Sequence, residues 1–429
     1  MSFKFSWNVY ADQPHNVALK KDRVRYHLKH TASYFGLLAS NIRRTVPVLS
    51  RYREYRKKMY VEPVRIESPI ALSVSPSEKR AEEVLELLRE TGVHKTLVRI
   101  PSWESGKLDV FEKFFKLLQK HDIELTVALL QQRDDVFNPL RWQHFVDEVF
   151  SRFGRAASFF EVGHAWNRTK WGVWSYKEYM KLALPAVSLA EKYSVKLVGP
   201  AVIDFEFHLY PPVLNAIPFN KVSSLLYVDR MGAPENLQYG WDTSRKIALL
   251  KAVVDGSCGR ERELWITEFN WPLKGTGKYS PASGKPNVTE EEQANYLVRY
   301  FILCLASGLV ERIYWWQLVA PGYGLIDSRK KKWRRRPSFY ALKTMVSLLE
   351  GSTFTGKIPH PEALIFSFCK GKNNFVVCWT SGAACEYVLP RRIMGVLSRD
   401  GEEISFKYDR IKKDDRIKID GRPKYVFIE

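Results

Sequence analysis

The chain has 429 residues, of which 45% are hydrophobic, and a formal net charge of +20. Such a length excludes a single small core and leaves one large barrel or several domains. The apolar content excludes a disordered polyelectrolyte. The basic excess favours polyanions, whether nucleic acid, anionic lipid head groups or acidic and phosphorylated glycans. No recognition-helix, zinc-finger or ribonucleoprotein signature accompanies it, which argues against nucleic acid. The opening Met1-Ser2-Phe3-Lys4-Phe5-Ser6-Trp7 has no apolar signal core, and no stretch reaches the length of a membrane span. The five cysteines (Cys258, Cys304, Cys369, Cys378 and Cys385) are odd in number and lack paired metal-ligand spacing. No metal or cofactor is implied, and a reducing cytoplasm is the expected setting, with attachment to the inner membrane surface as its variant.

Residues 1–68 form a basic extension, densest in cations at Arg51-Tyr52-Arg53-Glu54-Tyr55-Arg56-Lys57-Lys58. Within it Val24, Leu28, Thr31, Phe35, Leu38 and Ile42 follow helical spacing. The expectation is a basic helix packed on the rest of the protein through that row, and the alternative is a helix lying on an anionic membrane surface.

From Pro69 onward, strand-like apolar runs recur at 70–74, 96–100, 123–130, 158–162, 196–202, 222–228, 264–269 and 313–318. Amphipathic stretches at 81–89, 295–303 and 338–346 fall between and after them. Eight such units predict a closed (β/α)8 TIM barrel over 69–350, because parallel strands buried on both faces read as unbroken apolar runs. A doubly wound open sheet would call for a glycine-rich first turn, where this chain has Ser75-Pro76-Ser77-Glu78. Beyond Gly351 short strands at 363–368, 374–379, 404–406 and 425–428 predict a small antiparallel, sandwich-like β domain over 351–429.

Barrel enzymes place their chemistry at the C-terminal ends of the strands. The seventh strand reads Glu263-Leu264-Trp265-Ile266-Thr267-Glu268-Phe269-Asn270-Trp271, delivering a carboxylate among aromatic rings. Rings stack on a pyranose, and a carboxylate beside them faces the anomeric carbon. Arg99 ends the second strand and is a cationic partner that keeps Glu268 ionised. Tyr227 ends the sixth and offers it a hydroxyl. Of Trp315 and Trp316 on the eighth, one faces the mouth as a sugar platform and the other packs outward.

Together these residues resemble the large clan of retaining glycoside hydrolases built on (β/α)8 barrels, including families 39 and 5. The resemblance spans about 69–351, and a following β domain also occurs in that clan. It implies that Glu268 is the nucleophile and that Arg99, Tyr227, Asn270 and a Trp (Trp315 or Trp316) bind substrate. The sixth strand of those families often carries His-x-Tyr; here Leu225-Leu226-Tyr227 keeps the Tyr and loses the His. The fourth-strand motif of the clan reads approximately Phe-Glu-Val-Trp-Asn-Glu-Pro-Asn, whose second Glu is the general acid/base. This chain reads Phe160-Glu161-Val162-Gly163-His164-Ala165-Trp166-Asn167. Asn167 therefore aligns as a substrate-binding residue, and Ala165 stands where the acid/base belongs.

Alanine has no proton to give. Glu161 is no substitute, since it lies about 13 Å deeper on the strand. His164 and Asp229 are the candidate acid substitutes, with Asp204 or Glu206 behind them. Alternation along the strand directs His164 away from the mouth unless the strand end bends. The loop 322–327 leads into Arg329-Lys330-Lys331-Lys332-Trp333-Arg334-Arg335-Arg336, so seven cations are expected over the pocket, and with them an anionic cell-envelope glycan. Three functions remain in play: a hydrolase with a relocated acid, an inactive relative that binds glycan during polysaccharide or lipopolysaccharide assembly, and a basic scaffold on a membrane or other polyanion.

Overall fold

The computed structural model describes residues 6–14, 20–229, 231–280, 286–389, 391–409 and 414–429. Eight parallel strands close into a barrel in chain order: β1 (Ile70–Ser73), β2 (Lys95–Pro101), β3 (Glu124–Leu130), β4 (Phe159–Val162), β5 (Leu197–Ile203), β6 (Lys221–Leu225), β7 (Leu264–Phe269) and β8 (Arg312–Trp315), which pairs back onto β1. The expected strands are all present, with ends displaced by a few residues. Residues along each strand divide between two cores. Ala71, Leu97, Ala128, Val198, Trp265 and Tyr314 fill the interior. Leu72, Val98, Val127, Leu264 and Ile313 face outward into the shell of helices. Burial on both faces is why these strands carry unbroken apolar runs.

After the barrel come two antiparallel sheets. One has six strands, in the order Ile393–Ser398, Lys424–Ile428, Asn373–Thr380, Ala363–Lys370, Thr353–Ile358 and Val64–Arg65. The other has three strands: Cys385–Leu389, Asp414–Ile419 and Lys407–Asp409. Ile365, Val376 and Val426 of the first share an apolar core with Tyr387, Ile417 and Ile419 of the second. The presence of Val64–Arg65 in the larger sheet ties the end of the N-terminal extension to the C-terminal unit.

The extension folds as a short hairpin (Trp7–Asn8 with Gln13–Pro14), then α1 (Lys20–Lys29) and α2 (Thr31–Lys58). α2 does pack on the barrel's outer helices, but not through the expected row. Its inward side carries the partly buried Leu37, Val48 and Tyr52 and the buried Tyr55, with Met59 just past its end, and Tyr55 donates to Asp255 Oδ2 at 2.5 Å on the helix Thr243–Cys258. Val24, Leu28, Phe35, Leu38 and Ile42 are exposed instead. Helical periodicity identifies an apolar face but not what covers it. No helix among the described residues is long and apolar enough to cross a membrane. All five cysteines are free thiols.

Glu161 lies in the barrel interior, as its strand position predicts, and is 1% exposed. Burial raises its carboxyl from 4.5 to about 7, against the opposing pull of the Thr267 and Ser223 hydroxyls and the Arg99 charge. A raised carboxyl pKa means that the folded state holds a proton the unfolded chain has released. Burial of Glu161 therefore costs nothing below pH 4.5 and costs progressively more up to about pH 7, reaching about 3 kcal/mol. Glu161→Gln is expected to match the wild-type melting temperature at pH 4.5 and to exceed it at pH 8, as measured by thermal unfolding across that range.

Candidate active site

Strand ends deliver the side chains of the site, and two of them break regular alternation to do so. On β7, Trp265 points inward and Ile266 outward. The ladders to β6 and β8 then shift register beyond Ile266. A bulge of this kind reverses the phase of the strand. Phe269 consequently packs outward, stacked on Tyr300 at 4.0 Å, and Glu268 is left facing the mouth. At the end of β4, Gly163 (φ +79°) and Ala165 (φ +42°) adopt left-handed backbone. A Cβ on Gly163 would lie 2.9 Å from the Tyr179 ring, so only glycine fits this bend. Gln131 clamps the turn, accepting from His164 N at 2.8 Å and donating to His164 O at 3.0 Å. The bend turns His164 into the mouth, against the expectation from alternation.

Arg99, from β2, is the hub. Its Nη2 donates to Glu268 Oε2 and, at 3.1 Å, to His164 Nε2. Its Nη1 donates to Asp12 Oδ2 at 3.2 Å, and its guanidinium lies 3.1 Å over the Trp316 ring. Tyr227 donates to the other oxygen of Glu268, Oε1. Because arginine only donates, His164 Nε2 is the accepting nitrogen and Nδ1 carries the ring proton. Burial, followed by the Arg99 charge, holds the His164 pKa well below its usual value, so the ring is neutral. Asn270 donates to Trp316 O at 2.6 Å and fixes the rim of β8. Trp315 packs outward against Phe269 and Trp271, leaving Trp316 as the tryptophan at the mouth.

These residues line an open cavity of about 650 Å³, within the range of small-molecule sites. Four carboxyl groups reach it: Asp12, Asp204, Asp229 and Glu268. Asp204 is held by Arg168 at 2.5 Å, and the same arginine binds Glu206. Asp229 accepts backbone N–H bonds from Met231, at 2.8 Å, and Gly232. Asp12 was not foreseen. The hairpin delivers it across the mouth, with Trp7 at 5.0 Å from Trp103 and 5.9 Å from Trp171, and with Lys170 donating to Gln13 at 2.5 Å. Burial raises the Asp12 carboxyl above its usual value, and Arg99 opposes that shift. The sequence signal for this contact is the run of aromatics that includes Trp7 and Tyr10 just before Asp12.

Two expectations are corrected. Asn167 does not reach the cavity; its amide donates to Ile203 O and accepts from Ile203 N, both at 2.9 Å, pinning the β4 loop to the end of β5. The basic run 329–336 does not overlook the cavity either. Arg336 is fully buried and bonds the carbonyls of Ala320, Pro321 and Gly324, Arg334 pairs with Glu290 and Asp327, and Arg335 pairs with Glu90. Its four arginines are held in structural ion pairs, Lys330, Lys331 and Lys332 are exposed, and none of the run lines the cavity, so the argument it gave for an anionic sugar lapses. Among the described residues no group of three His, Cys, Asp or Glu is placed to hold a metal.

Solved structures similar to this chain include glycoside hydrolases. One is a family 39 glycoside hydrolase from the gut symbiont Bacteroides cellulosilyticus WH2, with a TM-score of 0.66 at 15% identity over 85% of this chain and 81% of that one. A GH30 endoxylanase from Clostridium papyrosolvens C71 gives 0.57 at 11% identity, covering 86% and 99%. The GH51 arabinofuranosidase from Xanthomonas axonopodis pv. citri gives 0.55 at 13%, covering 81% and 89%. No protein-family model and no curated protein matches the sequence. At these identities the likeness establishes the fold.

The structural role of Asn167 has a direct check. Asn167→Ala removes both bonds to Ile203 and is expected to lower stability by about 2 kcal/mol in urea denaturation. An unchanged midpoint would return Asn167 to the list of substrate ligands.

Proposed function

We propose that this protein acts on a glycan at the mouth of the barrel as a retaining glycoside hydrolase. Glu268 is its nucleophile and Asp12, from the N-terminal hairpin, its general acid. The observation that carries this reading is the carriage of Glu268: one oxygen is held by Arg99 and the other by Tyr227, on the floor of an open cavity. Such a carboxylate is oriented toward a sugar above it and stays ionised beside a permanent cation.

Retaining chemistry requires a second carboxyl roughly 5 Å from the nucleophile, to protonate the leaving oxygen and then to activate water. Ala165 supplies none. His164 is neutral, turns its lone pair to Arg99 and lies 3.5 Å from Glu268, on the nucleophile's side. Asp204 and Asp229 are occupied by Arg168 and by backbone N–H groups, whereas Asp12 meets Arg99 at a longer 3.2 Å. Asp12 remains. It and Glu268 engage the two terminal nitrogens of one guanidinium at the mouth, and burial raises its carboxyl against the pull of Arg99.

A second reading, a glycan-binding relative that does not cleave, is favoured by Ala165 and by the Arg99 guanidinium covering one face of Trp316. The two readings separate on aryl glycosides of the common sugars with good and poor leaving groups. The hydrolase reading predicts turnover and a transient glycosyl adduct by intact mass, both lost in Glu268→Gln. It also predicts that Asp12→Asn spares the good leaving groups and slows the poor ones about a hundredfold to ten-thousandfold. Equal losses across leaving groups would remove Asp12 as the acid. No turnover by wild type, together with saturable glycan binding, would establish the binding reading.

A further inference from the structure

We propose that α2 docks this protein on the surface of an anionic lipid bilayer. The helix carries an outward apolar row that none of the described residues covers. Leu28 in α1 and Phe35, Leu38, Ile42, Val46 and Leu49 in α2 are each between 46% and 77% exposed. Their spacings of 7, 3, 4, 4 and 3 residues keep the row on one face. Isolated exposed apolar residues are ordinary, but a continuous row of large ones marks a surface that meets something apolar.

Charge selects the occupant. Past Leu49 the same spacing continues to Arg53, Arg56 and Lys57, all exposed. α2 as a whole holds seven cations against one acid, Glu54. An apolar row continued and flanked by cations matches a bilayer, in which acyl chains lie beneath a negatively charged head-group layer. A second copy of this chain would bring cations against cations along the same face, and so is disfavoured.

The opposite side of α2 is fixed to the barrel. Tyr55 bonds Asp255, Arg44 donates to Asn215 at 3.1 Å, and Val48 closes on Gly256. The row therefore stays outward without any unfolding of the extension. Docking through it is independent of the chemistry at Glu268, and variants of the barrel mouth leave it unchanged.

The test is co-sedimentation of the full chain with vesicles of phosphatidylcholine alone or with a third phosphatidylglycerol. The expected result is binding to the anionic vesicles, at least tenfold weaker on neutral ones and in half-molar salt. Phe35→Ser/Ile42→Ser/Val46→Ser is expected to lose that binding, and Arg53→Glu/Lys57→Glu to weaken it at least tenfold. All five positions are exposed, so circular dichroism and the melting temperature should match wild type. Absence of binding to anionic vesicles overturns the proposal, as does equal binding to neutral ones. A dimer in solution that the triple serine variant dissociates, without vesicle binding, would assign the row to a second copy and overturn it as well.

Discussion

Burial of the Arg99 guanidinium at the barrel mouth is the constraint around which the site is arranged. A charge that is only 9% exposed must find partners, because an unpaired buried ion costs several kcal/mol. Burial lowers the Arg99 pKa, Asp12 opposes that shift, and the side chain stays a cation. Its planar fork then sets the positions of everything near it. Two terminal nitrogens hold two carboxyl groups, one face stacks on Trp316, and the imidazole of His164 turns its lone pair toward the charge. Lysine, a single point charge, has no such geometry. The bulge after Ile266, the glycine bend at 163 and the hairpin across the mouth are three separate backbone devices, and each brings a partner to this one group.

The barrel was legible because its strands are buried on both faces, so Ile70–Ser73 or Leu264–Phe269 cannot be mistaken for a half-exposed strand. Arg99, Tyr227, Glu268 and Trp316 were legible for a related reason: each lies at or just beyond the end of its own strand, and strand ends converge on the mouth. The orientation of His164 was not legible, because alternation applies only while the chain remains extended and Gly163 ends that regime. Asp12 was hidden by distance, since 87 residues separate it from Arg99 and no local pattern reports such a contact. For Asn167 the residue type misled. An amide that can donate and accept suits a sugar hydroxyl and a neighbouring backbone equally well, and here the backbone of Ile203 takes both of its bonds. The run 329–336 shows the same ambiguity for charge. Seven cations in eight residues suggest a surface for anions, yet Asp327, Glu290 and Glu90 bind most of its arginines.

The N-terminal extension joins these themes. It crosses the mouth with its hairpin, then runs down the outside of the barrel, bonded to one helical segment after another. Tyr26 meets Ser175 at 2.9 Å, Asn41 donates to His208 O at 2.9 Å, Tyr55 reaches Asp255, and Tyr60 meets Ser244 at 2.7 Å. It ends as a strand of the C-terminal sheet at Val64–Arg65. These attachments are made largely by phenols and amides, supported by Leu37, Val48 and Met59. They account for Tyr26, Tyr55 and Tyr60 and for the small Gly256 opposite Val48. They do not account for Phe35, Leu38, Ile42, Val46 and Leu49, which contribute nothing to that seam and would be costlier to keep in water than serine or lysine. A strap needed only to hold Asp12 over the mouth would be equally well fastened with a polar outer face. The apolar row is what the proposed docking of the same helix would explain, and the seven cations of α2 give the sign of the charge that docking would involve.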